Sequence, residues 1–142
     1  MKIHFLIALV WSCSMLFGCA SVEQASAERE KLASEPLPEA VASLGYEIGA
    51  PVEQVTEWSL YNWQSINETS LIIWVDAFHP YLFTLRELCP SLAFAQTIGV
   101  SNSGPTIDAN FDAIVVPNPP GGGEQCFIDK IYPLTKIKKA DS

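Results

Sequence analysis

Residues 3–17, "IHFLIALVWSCSMLF", run almost without polar interruption, residues 20–45 are mostly polar, and from Tyr46 the chain breaks into short apolar runs separated by turn residues. Three regimes predict three kinds of structure. The first follows Lys2 and is shorter than the roughly 20 apolar residues of a comfortable bilayer span, with no basic stop-transfer flank, so it reads as an export signal over residues 1–18. An uncut signal anchor, or a signal cut elsewhere with Cys19 left free, is the competing reading. The second, "ASVEQASAEREKLASEPLPEAVASLG", has seven charges, no aromatic residue and prolines at 36 and 38. Its segment "EQASAEREKLAS" suits a transient helix but lacks a broad apolar stripe, so residues 19–45 are expected to be a flexible tether.

The third regime predicts a small β-rich domain over 46–137, followed by a tail, 138–142. "YNWQSIN" (61–67), "LIIWVDA" (71–77), "YLFTL" (81–85), "QTIGV" (96–100), "FDAIVV" (111–116) and "QCFIDKIY" (125–132) are short and rich in β-branched and aromatic residues. Turn chemistry separates them. Residues 67–70 suit a tight connection, "DAFHP" a hairpin loop, "SNSGPT" a loop and "PNPPGGG" a longer, flexible one. "RELCPSLAFA" (86–95) is the one convincing helical piece, so the expected fold is mainly β (α+β): a small antiparallel sheet or barrel with one short helix.

The end of the export segment changes the picture, because Leu16, Phe17, Gly18 and Cys19 stand in the order of a lipobox. This resembles the processing site of bacterial lipoproteins, in which the cysteine is lipidated, the peptide is cut before it, and the new amino terminus is acylated. Several acyl chains on one residue anchor stably where one holds only weakly. Cys19 is thus the expected lipid anchor, carrying palmitate-class chains. Ala20 follows it, and the resemblance implies carriage to the periplasmic face of the outer membrane, with the inner membrane the less favoured destination.

Sixteen acidic against eight basic residues, a formal net charge of −8, oppose both nucleic acid and anionic lipid as partners. The short basic run "KIKK" (136–139) reads as a solvated terminus. Of four cysteines, Cys13 leaves with the signal and Cys19 carries lipid, which leaves Cys89 and Cys126. In an oxidising compartment these are expected to form a disulfide, whose closed loop contributes roughly 3 to 4 kcal/mol in the chain-entropy model. The competing reading, a reactive thiol, needs an activating partner, and neither "RELCPSL" nor "EQCFID" supplies a His or a C-x-x-C spacing.

"IIWVDAFHPYLFTLRELCPSLAFAQTIGV", "FDAIVV" and "CFIDKI" together resemble a family of small Gram-negative lipoproteins catalogued as a domain of unknown function. The family pattern falls on Trp63, Ile73, Tyr81 with Leu82, Cys89 with Leu92, Asp112, and Cys126 with Ile128. The resemblance covers about 46–134. It implies the lipoprotein location and a shared fold, and it supplies no activity. "NPPGGGEQ" before Cys126 is longer than the family's usual turn.

Candidate chemistry is sparse. Without His4, which lies in the export segment, His79 is the one histidine, and a hydrolase reading pairs it with Asp76 and asks Ser101 or Ser103 to act as nucleophile. The plainer reading makes His79 an exposed turn residue. No metal or cofactor is expected, because one histidine and an oxidised cysteine pair leave only scattered carboxylates. Asp108, Asn110 and Asp112 alternate as in part of a calcium loop, but without its glycine and glutamate, so a solvated turn is expected. The triple glycine 121–123 is followed by Glu124 and not by a phosphate-binding Lys, and the sequon Asn67-Glu68-Thr69 reads as a chance match. Aromatic residues are dense between Trp58 and Phe83, and Trp63, Trp74 and Tyr81 are candidates for an outward patch that binds an envelope protein or glycan. The plainer reading makes them the core of a small domain, which needs large side chains to bury enough area. The function expected is therefore a membrane-anchored, non-enzymatic binding or envelope-assembly module, with the His79 and Asp76 hydrolase as its rival.

Overall fold

The computed structural model describes residues 20–56, 59–102 and 104–139. Residues 1–18, where an export signal is expected, and Cys19, Trp58 and Ser103 lie outside the described residues. The chain divides into two units, Met1–Lys31 and Leu32–Ser142. Within the first, helix α1 (Ala20–Ser34) begins, and its residues 23–31 are all exposed, as expected of a helix without an apolar stripe.

The second unit is mainly β, with nine strands among the described residues, and its larger sheet is a curled antiparallel half-barrel. A meander forms its first part: β3 (Asn62–Asn67), β4 (Ser70–Trp74) and β5 (Pro80–Leu85). The tight connection expected at 67–70 is present, with Asn67 opposite Ser70 and the Asn67 Oδ1 accepting bonds from the Thr69 N–H and the Ser70 hydroxyl. After β5 comes a short 3-10 helix (Pro90–Phe94), then β6 (Gly99–Val100), β8 (Ala113–Pro117) and β9 (Gly123–Lys136). The helical piece expected at 86–95 is therefore real but confined to one 3-10 segment. Proline at its first position suits it.

Strand β9 organises the sheet. Its start pairs with β8, its middle with β5, and its end with β1 (Tyr46–Ile48). A separate ribbon pairs β2 (Gln54–Thr56) with β7 (Thr106–Asp108). "PNPPGGG" closes the β8–β9 hairpin, where the Asn118 N–H bonds to the Gly122 carbonyl at 3.1 Å. Glycine is required there for two reasons. Gly122 has φ +129°, and a Cβ on Gly123 would meet the Val116 carbonyl oxygen at 3.1 Å.

Alternate residues of β4 and β5 feed two apolar clusters, one on each face. Leu71, Ile73 and Phe83 join Ile114, Cys126, Ile128 and Ile131 on the inside of the curl. Ile72 and Leu82 join Leu134, Leu32, Ala40 and Val41 on the outside. Ala40 and Val41 belong to helix α2 (Leu37–Ser43), and both are fully buried. The expected boundary at Tyr46 is thus corrected: the ordered domain starts near Leu32, and a second α-helix covers the sheet. The physical reason is that an uncovered outer face would leave Ile72 and Leu82 in water.

Candidate functional site

Asp76 and His79 do meet. They lie in the β4–β5 hairpin, where the Val75 N–H bonds to the His79 carbonyl and sets their spacing. Asp76 Oδ1 accepts the backbone N–H groups of Phe78 (2.7 Å) and His79 (2.9 Å), while Oδ2 lies 2.6 Å from His79 Nδ1. The Phe78 N–H, with lesser help from the His79 ring and backbone, holds the Asp76 carboxyl below its ordinary value of 3.8. Both side chains are well exposed, His79 at 65% and Asp76 at 47%. One carboxylate therefore closes the turn and orients the ring.

The nucleophile does not join them. Ser101 Oγ accepts the Ala113 N–H at 2.8 Å next to the β6–β8 pairing, and β9 and β8 lie between β5 and β6 in the sheet. Ser103 lies outside the described residues. The 108–112 stretch forms a turn tied by its own acids: Asp108 Oδ1 accepts the Asn110 N–H, and Asp112 Oδ2 accepts the Asp108 N–H at 2.7 Å. Asp108 also receives the Gln54 amide at 2.8 Å, which joins β7 to β2 and, together with the Asn110 N–H, holds the Asp108 carboxyl low.

The three aromatic candidates are half-buried and divide between the two faces. Trp63 and Tyr81 flank Ile73 in register and pack on the inner cluster. Trp74 packs on the outer cluster and meets Tyr46 edge-on, with ring centroids 6.3 Å apart. They do not form one patch, because adjacent strand positions point to opposite faces and α2 helps cover the outer one. The large side chains that do reach solvent are others, among them Phe94 (86%), Phe78 (85%) and Phe111 (80%). Each sits in a connection or at the end of an element, where strand alternation gave no signal.

Cys89 and Cys126 are bonded, with Cα atoms 5.9 Å apart. The bond ties the residue before the 3-10 helix to the inner face of β9. Glu124, which sequence reasoning passed over as a candidate, lies beside it. One of its carboxylate oxygens accepts the Ser91 N–H at 3.1 Å and is 3.8 Å from Cys89 Sγ. A disulfide sulfur carries no hydrogen, so the latter contact is a close approach and not a hydrogen bond. Cys89, Glu124 and Cys126 each bring a ligand atom within 4.8 Å of the others. One of the carboxylates thus stands beside the cysteine pair. Strand alternation puts Glu124 and Cys126 on one face, but the approach to Cys89, 35 residues away, has no local signal.

A family model described as "Family of unknown function (DUF6491)" matches residues 1–142. The chain belongs to this family. DUF6491 membership agrees with the resemblance drawn on the tryptophan, cysteine and isoleucine positions, and it assigns no activity. No curated protein and no solved structure gives a significant match to this DUF6491 chain.

Proposed function

We infer that the protein is a lipoprotein held through Cys19 at the periplasmic face of the outer membrane, where it acts as a non-enzymatic binding or envelope-assembly module. The observation that carries this reading is the Cys89–Cys126 disulfide. Such bonds persist in oxidising compartments, the destination of a chain led by an apolar export segment that ends in "LFGCAS". The exposed phenylalanines in the connections supply apolar contact points for an envelope protein or a glycan, and the acidic charge argues against nucleic acid. Nothing in the reading calls for a cofactor.

The rival hydrolase draws on the 2.6 Å contact between His79 and Asp76. Against it, the same carboxylate accepts two backbone N–H groups and so works as a turn staple. The test is expression of the full chain in a Gram-negative cell fed a labelled fatty acid. The wild type should carry label and fractionate with outer membrane; Cys19→Ala should lose both label and membrane. His79→Ala should keep fold, label and any cellular phenotype of the wild type. An unlabelled wild type would overturn the anchor, and a folded, labelled His79→Ala that lost the phenotype would favour the hydrolase.

A further inference from the structure

We propose that Cys89, Cys126 and Glu124 form a zinc site that is masked by the disulfide and opened by a dithiol reductant. In the oxidised chain the Glu124 carboxylate faces sulfur atoms that carry no proton and no positive charge, so their contact at 3.8 Å brings no stabilisation of its own. The carboxylate's polar partner there is the Ser91 N–H at 3.1 Å, and opening the bond adds two thiolates beside it. Two thiolates and a carboxylate are then a donor set that zinc takes, with metal–sulfur distances of about 2.3 Å and metal–oxygen distances of about 2.0 to 2.2 Å. In tetrahedral geometry these lengths place sulfur and oxygen about 3.6 Å apart. The Cys89–Glu124 separation already approaches that figure.

Glu124 and Ser91 border a groove also lined by Asn118, Gly121, Gly122 and Gly123, and in the proposed site a water or an external ligand would take the fourth position. Three protein ligands and one open position are the arrangement of an exchangeable site and not of a closed structural one. The position in the fold gives the exchange a consequence. Zinc would replace the covalent tie between the 3-10 helix and β9 when that tie is lost.

The chemistry balances. A thiolate of the reductant attacks one sulfur, the Cys89–Cys126 bond breaks, and the reductant's second thiol resolves the mixed disulfide. Two electrons and two protons pass to the protein, and the reductant leaves as its own disulfide. Zinc then displaces the two thiol protons to solvent. This inference is independent of the membrane anchor.

The experiment uses the full chain with Cys13→Ser and Cys19→Ser, so that Cys89 and Cys126 are its only cysteines. Half is kept oxidised, and half is reduced and freed of reductant without air. Each is titrated with cobalt(II), whose thiolate charge-transfer and tetrahedral absorption bands report the ligands. The reduced chain should take up one cobalt per chain and release it to zinc; the oxidised chain should show no such bands. Zinc should also raise the melting temperature of the reduced chain and not that of the oxidised one. Glu124→Gln, which retains an acceptor for the Ser91 N–H, should still form the disulfide. Once reduced, it should bind cobalt more weakly by at least the roughly 10- to 100-fold that loss of a ligand's outer partner costs. The proposal is overturned by a reduced chain without cobalt bands, by bands that Glu124→Gln leaves unchanged, or by zinc that leaves the reduced melting temperature unmoved.

Discussion

At the scale of single residues, two aspartates show how one carboxylate serves several backbone groups. Asp76 closes the β4–β5 hairpin and Asp108 joins β2 to β7, and both are held below the ordinary value of 3.8 by the hydrogen bonds they accept. A carboxyl depressed in the folded state contributes stability that is present above its unfolded pKa and lost as pH falls through the folded one. The Asp76→Asn, Asp108→Asn double variant should therefore be less stable than wild type in urea at neutral pH, and the gap should narrow progressively once the pH falls below 3.8. A gap that stays constant however far the pH is lowered would show that these carboxylates are not linked to folding. The Asp76–His79 pair was legible in the sequence because three-residue spacing within one turn leaves few geometries. The position of Glu124 beside Cys89 was not, because it depends on a contact between residues 35 apart.

At the scale of elements, the runs "LIIW" and "YLF" carry a message that alternation alone did not deliver. A strand with one wet face alternates polar and apolar residues, whereas β4 is buried at four successive positions. Something must cover the second face, and α2 does so through Ala40 and Val41, with Leu32 beside them. Burial of Leu32 and Val41 contributes about 3 to 6 kcal/mol at most, taking about 1.5 to 3 kcal/mol for each side chain. A chain that starts at Leu32 should thus melt close to one that starts at Ala20, while a chain that starts at Tyr46 should melt more than 10 °C lower, at about 4 to 8 °C per kcal/mol. Equal melting of the Leu32 and Tyr46 chains would return the domain boundary to Tyr46. The helix escaped sequence reading because it is seven residues long and carries prolines at its N-cap and in its first turn, which read as turn residues.

At the scale of the whole molecule, β9 joins what the rest of the chain supplies in pieces. It pairs in turn with β8, β5 and β1, and the disulfide fixes its inner face to the segment after β5. Replacing Cys89 and Cys126 by serine should cost roughly 3 to 4 kcal/mol in denaturant unfolding without changing where the protein resides in the cell. An unchanged unfolding midpoint would mean that strand pairing alone holds the two ends. By itself the sequence determined what local chemistry governs: the apolar run before Cys19, the β-rich runs, the tight turn at Asn67, and Cys89 and Cys126 as the pair to be bonded. Only the tertiary structure decided which strands adjoin, that the short strands β1, β2 and β7 exist, that a helix covers the outer face, and that a carboxylate faces the disulfide. These features rest on contacts between residues far apart in the chain, and short segments take their conformation from such contacts more than from their own composition.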